Sequence, residues 1–154
     1  MVLWKTSDKS SKQKKLLNTL FETGTDLHIL IMNVETFSSG DGTAFARKFL
    51  SCHKSMIAID ESTTIKTPTS NRTKNILSLR DHAQYRRILT GSPVTKSPLD
   101  LFSQCQFLDP WLLGHDSYWV FRARYAICRK IEVQGRRVEI VVGYRNLGEL
   151  SDKI

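Results

Sequence analysis

The octapeptide Met56-Ile57-Ala58-Ile59-Asp60-Glu61-Ser62-Thr63 constrains this chain more than any other segment. Four apolar residues with no intervening charge read as a short buried strand of a parallel sheet, because such strands are covered on both faces and lose the alternation of a half-exposed strand. The run then stops in two carboxylates. In open α/β sheets ligands bind beyond the carboxyl ends of the strands, so Asp60 and Glu61 stand where chemistry is expected.

The pattern returns at Tyr85-Arg86-Arg87-Ile88-Leu89-Thr90-Gly91-Ser92-Pro93, a second short strand closed by a hydroxyl, a glycine and a proline suited to a tight polar turn. Between the two strands runs Ile65-Lys66-Thr67-Pro68-Thr69-Ser70-Asn71-Arg72-Thr73-Lys74, a basic, proline-broken loop leading into a helix predicted over Asn71 to Leu79. Further strand and helix signals alternate along the chain. They predict strands at Val2 to Trp4 and Leu27 to Val34, and helices at Ser11 to Glu22, Thr43 to Leu50 and Leu99 to Phe107. In the first helix Leu16, Leu17, Leu20 and Phe21 form the apolar stripe. Alternation of this kind implies an α/β fold with a parallel, doubly wound sheet and right-handed crossovers. After Asp109-Pro110 the pattern changes to a helix over Tyr118 to Ala126. A hairpin follows, in which Ile131 to Val133 and Val138 to Val142 flank Gln134-Gly135-Arg136-Arg137.

These segments, taken in order, carry a resemblance. Strand-Asp-Glu-Ser-Thr, Ile-Lys-x-Pro-x-Ser-x-Arg, Arg-x-Leu-Thr-Gly-Ser-Pro, Ser-Pro-Leu-Asp-Leu-Phe-Ser-Gln and Phe-Leu-Asp-Pro resemble the first motor lobe of superfamily-two helicases of the Swi/Snf type. The compact versions carried by phages and bacteria are the nearest in pattern, also over Gly143 to Leu150. The resemblance implies a RecA-like, P-loop NTPase type of sheet. Residues 1–110 would then be a partial ATP-binding lobe with motifs II and III, and residues 111–154 a helix and β-hairpin appendage leading toward a second lobe.

It implies the chemistry as well. Asp60 would hold Mg²⁺ through water, and Glu61 would orient or deprotonate the water that attacks ATP. That assignment suits phosphoryl transfer, in which positioning and charge stabilisation do most of the work. Thr90, Gly91 and Ser92 would link the state of the nucleotide to movement along DNA. Ser62 and Thr63 stand where the family usually has a small residue and a histidine, which leaves that histidine's hydrogen bonds without a direct equivalent. Read without the resemblance, Asp60 and Glu61 are a polar strand terminus and Thr90 to Ser92 an ordinary turn.

Partners follow from charge and loops. A net charge of +8, from 23 basic and 15 acidic residues, favours a polyanion, since neutralised phosphates release condensed counterions. Lys66, Arg72 and Lys74 are the candidates for sequence-independent contact with DNA phosphates, although a solvated basic loop has the same composition. Asn33, Glu35 and Thr36 rank lower, after a strand where the family approaches the DNA backbone. Arg122, Arg124, Arg129, Lys130, Arg136 and Arg137 read equally as a nucleic-acid path or a solvated face.

Some classes are excluded, and some parts are missing. No apolar run reaches a membrane span, and Met1 to Lys5 lacks the apolar core of an export signal. Cys52, Cys105 and Cys128 are odd in number and form no Cys-x-x-Cys pair, as expected of reduced thiols in a cytosol, which the resemblance implies is that of a bacterium or a phage-infected host. No Gly-x-x-x-x-Gly-Lys-Ser/Thr loop is present. Gly40-Asp41-Gly42-Thr43 lacks its lysine and spacing and reads as a flexible turn. The expectation is a fragment or split subunit of an ATP-dependent DNA translocase, inactive alone, with ATP and Mg²⁺ belonging to the complete motor. The competing expectation is a non-catalytic module that binds nucleic acid or completes another helicase subunit.

Overall fold

A computed structural model describes residues 2–3, 11–22, 24 and 26–154. Trp4, placed by the sequence reading at the end of the first strand, lies outside the described residues. The elements run β1 (Val2–Leu3), α1 (Ser11–Thr19), β2 (Leu30–Ile31), α2 (Gly40–Cys52), β3 (Met56–Ile59), α3 (Asn71–Leu77), β4 (Tyr85–Ile88), α4 (Leu101–Leu108), α5 (Tyr118–Tyr125), β5 (Ala126–Val133), β6 (Arg136–Tyr144) and α6 (Leu147–Ser151). Short 3₁₀ turns at Val34–Ser38, Ser62–Ile65, Arg80–His82 and Pro98–Asp100 join them. The fold is mixed α/β. Among the described residues the strands pair two by two, β1 with β2 in parallel, β3 with β4, and β5 with β6 antiparallel. Tyr85 N–H donates to the Ser55 carbonyl and Leu89 N–H to that of Ile59, so β3 and β4 advance together as a parallel pair does.

The chain packs as two compact units, Met1–Ala58 with Thr69–Arg87, and Ile59–Pro68 with Ile88–Ile154. The first is built on Val2, Leu20, Ala46, Phe49, Leu50, Leu79 and Ala83. Leu17 and Phe21 of the expected α1 stripe pack against that cluster, while Leu16 turns to solvent. The second unit is built on Leu99, Leu101, Phe102, Cys105, Leu113, Phe121, Tyr125, Ala126 and Leu150. Phe121 and Tyr125 are wholly buried in it, each worth roughly 1.5–3 kcal/mol over an exposed position.

Four sequence expectations change. The run Met56–Ile59, read as a strand covered on both faces, alternates instead, with Met56 and Ala58 exposed, Ile57 half-buried and Ile59 buried. The strand expected over Leu27 to Val34 is two residues long, because Asn33 Oδ1 accepts the Glu35 N–H and caps the 3₁₀ turn that begins at Val34. Gly40-Asp41-Gly42-Thr43 is not a flexible turn but the first turn of α2, with Asp41 placed favourably at the positive end of the helix. Gly42 is there because a Cβ would sit 2.2 Å from Thr36 Cγ2, so its absence lets α2 close on the preceding turn. The hairpin loop is two residues, not four. Gln134 (φ 50°) and Gly135 (φ 74°) both adopt the left-handed backbone whose twist matches paired antiparallel strands.

Helix ends follow local chemistry. Ser70 Oγ accepts the Thr73 N–H and starts α3 just after Pro68. Ser97 Oγ accepts the Leu99 N–H, Pro98 opens the turn leading into α4, and Asp109-Pro110 ends that helix.

Candidate functional site

β3 ends at Ile59, which leaves Asp60 and Glu61 exposed on the loop beyond it. Asp60 Oδ1 accepts the Glu61 N–H at 3.0 Å, and among the described residues no cation pairs with either carboxylate. Glu61 has φ 50° and ψ 59°. A left-handed backbone at a non-glycine residue costs on the order of 1–3 kcal/mol and persists only where its surroundings dictate it. They do so at Ser62. Its N–H donates to the Leu89 carbonyl at 3.0 Å, and its hydroxyl donates to Gln104 Oε1 at 2.6 Å.

The end of β4 lies alongside. Leu89 N–H donates to the Ile59 carbonyl at 2.9 Å, so the loop carrying Asp60 and Glu61 and the loop carrying Thr90, Gly91 and Ser92 leave adjacent strand ends in the second unit. Thr90 Oγ1 accepts the Ser92 N–H at 3.3 Å and Ser92 Oγ donates to the Val94 carbonyl at 2.8 Å, which shapes the segment into a compact polar turn. Gly91 has open space where a Cβ would stand.

The basic candidates separate. Lys66, in the second unit, donates to Thr95 Oγ1 and lies 3.7 Å from Asp100. Burial works to raise the Asp100 carboxyl, but donors from the Lys96 and Thr95 backbone and the Thr95 hydroxyl outweigh it and hold the group below its ordinary range. Lys66 thus faces a firmly ionised partner. Arg72 and Lys74 lie on α3 in the first unit, where Arg72 pairs with Glu35. Lys74 is exposed and has no ion pair among the described residues. Asn33 and Glu35 are occupied in the cap and in that ion pair, and Thr36 packs against Gly42.

Sequence reasoning quoted Gln104 at the end of Ser-Pro-Leu-Asp-Leu-Phe-Ser-Gln but gave it no role, because a glutamine in a helix carries no outward signal of burial; its side chain bonds to both loops. Cys105 beside it is buried, and burial pushes its thiol up to about 11, the mark of an unreactive core cysteine.

The donors set what could bind here. No group of three His, Cys, Asp or Glu side chains among the described residues makes a cation cage. A single exposed carboxylate at a strand end suits magnesium, which keeps several waters and is held by one or two carboxylates together with substrate phosphates. Asp60 fits that role and a transition-metal site does not.

Comparisons with known proteins agree with this architecture. Residues 3–144 match the SNF2-related domain family. A stretch of 65 residues, 41% of the chain, is 38% identical to the DNA repair protein RAD5 of Kluyveromyces lactis. Another of 61 residues, 39% of the chain, is 38% identical to the chromatin-remodeling ATPase INO80 of Saccharomyces cerevisiae, and the same holds for that of Eremothecium gossypii. The matched stretches span 6% of the RAD5 protein and 4% of each INO80 protein. No helix among the described residues is long and apolar enough to cross a membrane.

Proposed function

The chain belongs to the SNF2-related domain family, and on that premise we propose that it carries the motif II and motif III portion of an ATP-driven DNA translocase or helicase motor. In this reading residues 1–110 belong to a RecA-like, doubly wound ATP-binding lobe, and residues 111–154 are an appendage leading toward a second lobe. The observation that carries it is the pairing of two loops. One presents Asp60 and Glu61, which form no ion pair among the described residues, and the other presents Thr90, Gly91 and Ser92, at neighbouring ends of parallel strands.

Each residue then has a task. Asp60 would hold magnesium, which would supply neutralising charge at the phosphates, and Glu61 would orient or deprotonate the attacking water. Bound ATP supplies the phosphoryl group. The Thr90 to Ser92 turn reports the state of that site toward DNA. A phosphate-cradling loop and a charge-stabilising arginine come from outside these 154 residues. DNA is held by its phosphates, without sequence reading. Of the three basic candidates, Lys74 is the most available, since Lys66 and Arg72 must first exchange Asp100 and Glu35 for phosphate. A cytosolic setting in bacteria or phage-infected cells rests on the resemblance of the motifs and of Gly143 to Leu150 and on the unpaired cysteines, and the yeast relatives give it no support.

A second reading has its own support in the first unit. Leu27, Ile29, Ile31, Met56 and Tyr85 expose apolar surface on or beside its strands. Exposed apolar strand faces mark a place where further protein packs, which suits a module that completes a helicase in trans.

DNA-stimulated ATP hydrolysis tests the two together. It is measured on the purified chain and on the chain combined with segments supplying the phosphate loop and second lobe. The expected result is no turnover alone and turnover in combination that Glu61→Gln lowers roughly 10²–10⁴-fold. Combined turnover indifferent to Glu61→Gln would overturn the catalytic assignment. Turnover by the chain alone that vanishes in Glu61→Gln would overturn the division of labour.

A further inference from the structure

Gln104 is wholly buried in α4. Its Oε1 accepts the Ser62 hydroxyl at 2.6 Å, and its Nε2 donates to the Pro93 carbonyl and to the Asp100 carbonyl, both at 2.8 Å. The amide has two N–H donors and one carbonyl acceptor, and all three functions are in use. Two of these bonds join segments far apart in sequence. Ser62 directly follows Glu61, and Pro93 directly follows Thr90-Gly91-Ser92.

The other buried polar residues of α4 have different surroundings. Ser103 has a buried hydroxyl without a partner among the described residues, and Gln106 donates to the Pro110 and His115 carbonyls beyond the far end of the helix. Ser62, by contrast, is pinned twice, through its N–H to Leu89 and through its hydroxyl to Gln104. That double pin is next to the left-handed Glu61, and a strained backbone is retained where neighbouring contacts over-determine it.

We propose that Gln104 is a positioning residue that locks the Glu61-Ser62 turn and the Pro93 end of the Thr90 to Ser92 segment into one register. A displacement at Asp60 or Glu61 is thereby passed to the other loop. The proposal deepens the function argued above and rests on it for what the two loops do, while the link itself lies in this chain's own bonds. A buried amide with every function satisfied transmits position in a way an apolar residue of similar volume does not, because its bonds have fixed directions.

Backbone amide NMR on the full 154-residue chain decides it through a double-mutant cycle. Ser62→Ala is compared in the natural background and in Gln104→Leu. The expected result is that Ser62→Ala shifts the Gly91 and Ser92 amides in the natural background and shifts them much less in Gln104→Leu, where the Ser62 N–H to Leu89 carbonyl bond still joins the loops. Equal shifts in both backgrounds would overturn the proposal. Gln104→Leu alone strands the Ser62 hydroxyl and lowers the melting temperature. The double variant replaces that pair by apolar groups and regains part of the loss, which keeps the measurement possible where the single variant folds poorly.

A magnesium titration of the same samples separates this proposal from the functional reading. Shifts at Asp60 and Glu61 that reach Gly91 and Ser92 in the natural chain, but reach them much less in the double variant, support both. Shifts that reach the second loop undiminished in the double variant would overturn the role of Gln104. No response at Asp60 to magnesium without phosphates leaves the metal assignment to the combined ATPase measurement and Gln104 to the mutant cycle.

Discussion

Helix α4 and the β5–β6 hairpin belong to the same compact unit and are held by opposite means. Every residue of α4 from Leu101 to Phe107 is buried, so that helix is fixed from all sides by tertiary contacts. The hairpin is exposed along most of its length, with Ile127, Val133, Val138, Ile140 and Val142 open to solvent. Its own ladder supports it, from Val133 opposite Arg136 to Ala126 opposite Tyr144, with a bulge near Ile127 and Cys128. Arg122 of α5 adds an ion pair with Glu139, midway along the ladder opposite Lys130. The difference teaches that the geometry of the two candidate loops is set by a helix that contributes no catalytic residue. The exposed strands of the hairpin, by contrast, stand largely clear of that core, while Leu113, Phe121, Tyr125, Ala126 and Leu150 of the same appendage pack in it beside α4.

The largest expected effect tests the buried side of the comparison. Phe107 is wholly buried, and Phe107→Ala removes a ring from a site packed on every face. The expected cost is about 3–5 kcal/mol in unfolding free energy, read by urea denaturation. A loss of less than about 1 kcal/mol would mean that α4 is loosely packed and cannot hold the loops in place.

Much of this was legible from the residues, and the misses share a cause. The apolar run at Met56 ends within one residue of the predicted strand end, because a change from isoleucine to two carboxylates is a local signal. The hairpin was legible in outline because Gln134-Gly135 divides two β-rich runs. Gln104 was not, because Ser103, Gln104 and Gln106 make α4 read as half solvated. The burial of Gln104 and Gln106 is satisfied by carbonyls of Pro93, Asp100, Pro110 and His115, which no local pattern announces. Nor was the left-handed turn at Glu61 legible, since glutamate has no preference for it and the contacts that impose it are tertiary. At Leu27 to Val34 the apolar run was real, but the local cap at Asn33 claimed its end for a 3₁₀ turn.

A middle-sized effect belongs to the hairpin turn. Gly135 has φ 74° with open space around its missing Cβ, so Gly135→Ala meets no clash and pays only for the left-handed backbone, about 1–2 kcal/mol. That cost should stay local. Hydrogen exchange is expected to quicken at the Val133 and Arg136 amides and to remain unchanged at Ser62 and Gly91. Faster exchange at Ser62 would join the two regions that the comparison separates.

A smaller effect concerns the tie between α5 and α6. Hydrogen bonds from Arg124 and the Tyr125 hydroxyl hold the Glu149 carboxyl down to about 2, against an ordinary 4.5. A carboxyl depressed in the folded state contributes stability that is complete above the unfolded value, near 4.5, and is lost as pH falls toward the folded value, near 2. The melting temperature is therefore expected to drop between those limits, and Glu149→Gln should flatten its part of the slope. A slope unchanged by Glu149→Gln would show that the pair is not what fastens α6.

The smallest effect is the most exacting test of the exposed side. Val138 pairs with Ile131 across the hairpin and is 44% exposed. Val138→Thr keeps the branched Cβ that suits a strand and places a hydroxyl where water can satisfy it, so neither strand preference nor hydrogen bonding is lost. The expected change in unfolding free energy is within about 0.5 kcal/mol. The same denaturation experiment used for Phe107→Ala reads it, so the two numbers are directly comparable. Their ratio measures the contrast between the regions. A loss above about 1 kcal/mol at Val138 would mean that this face of the hairpin is packed surface, and the hairpin strands would then share the dependence on tertiary contacts that distinguishes α4.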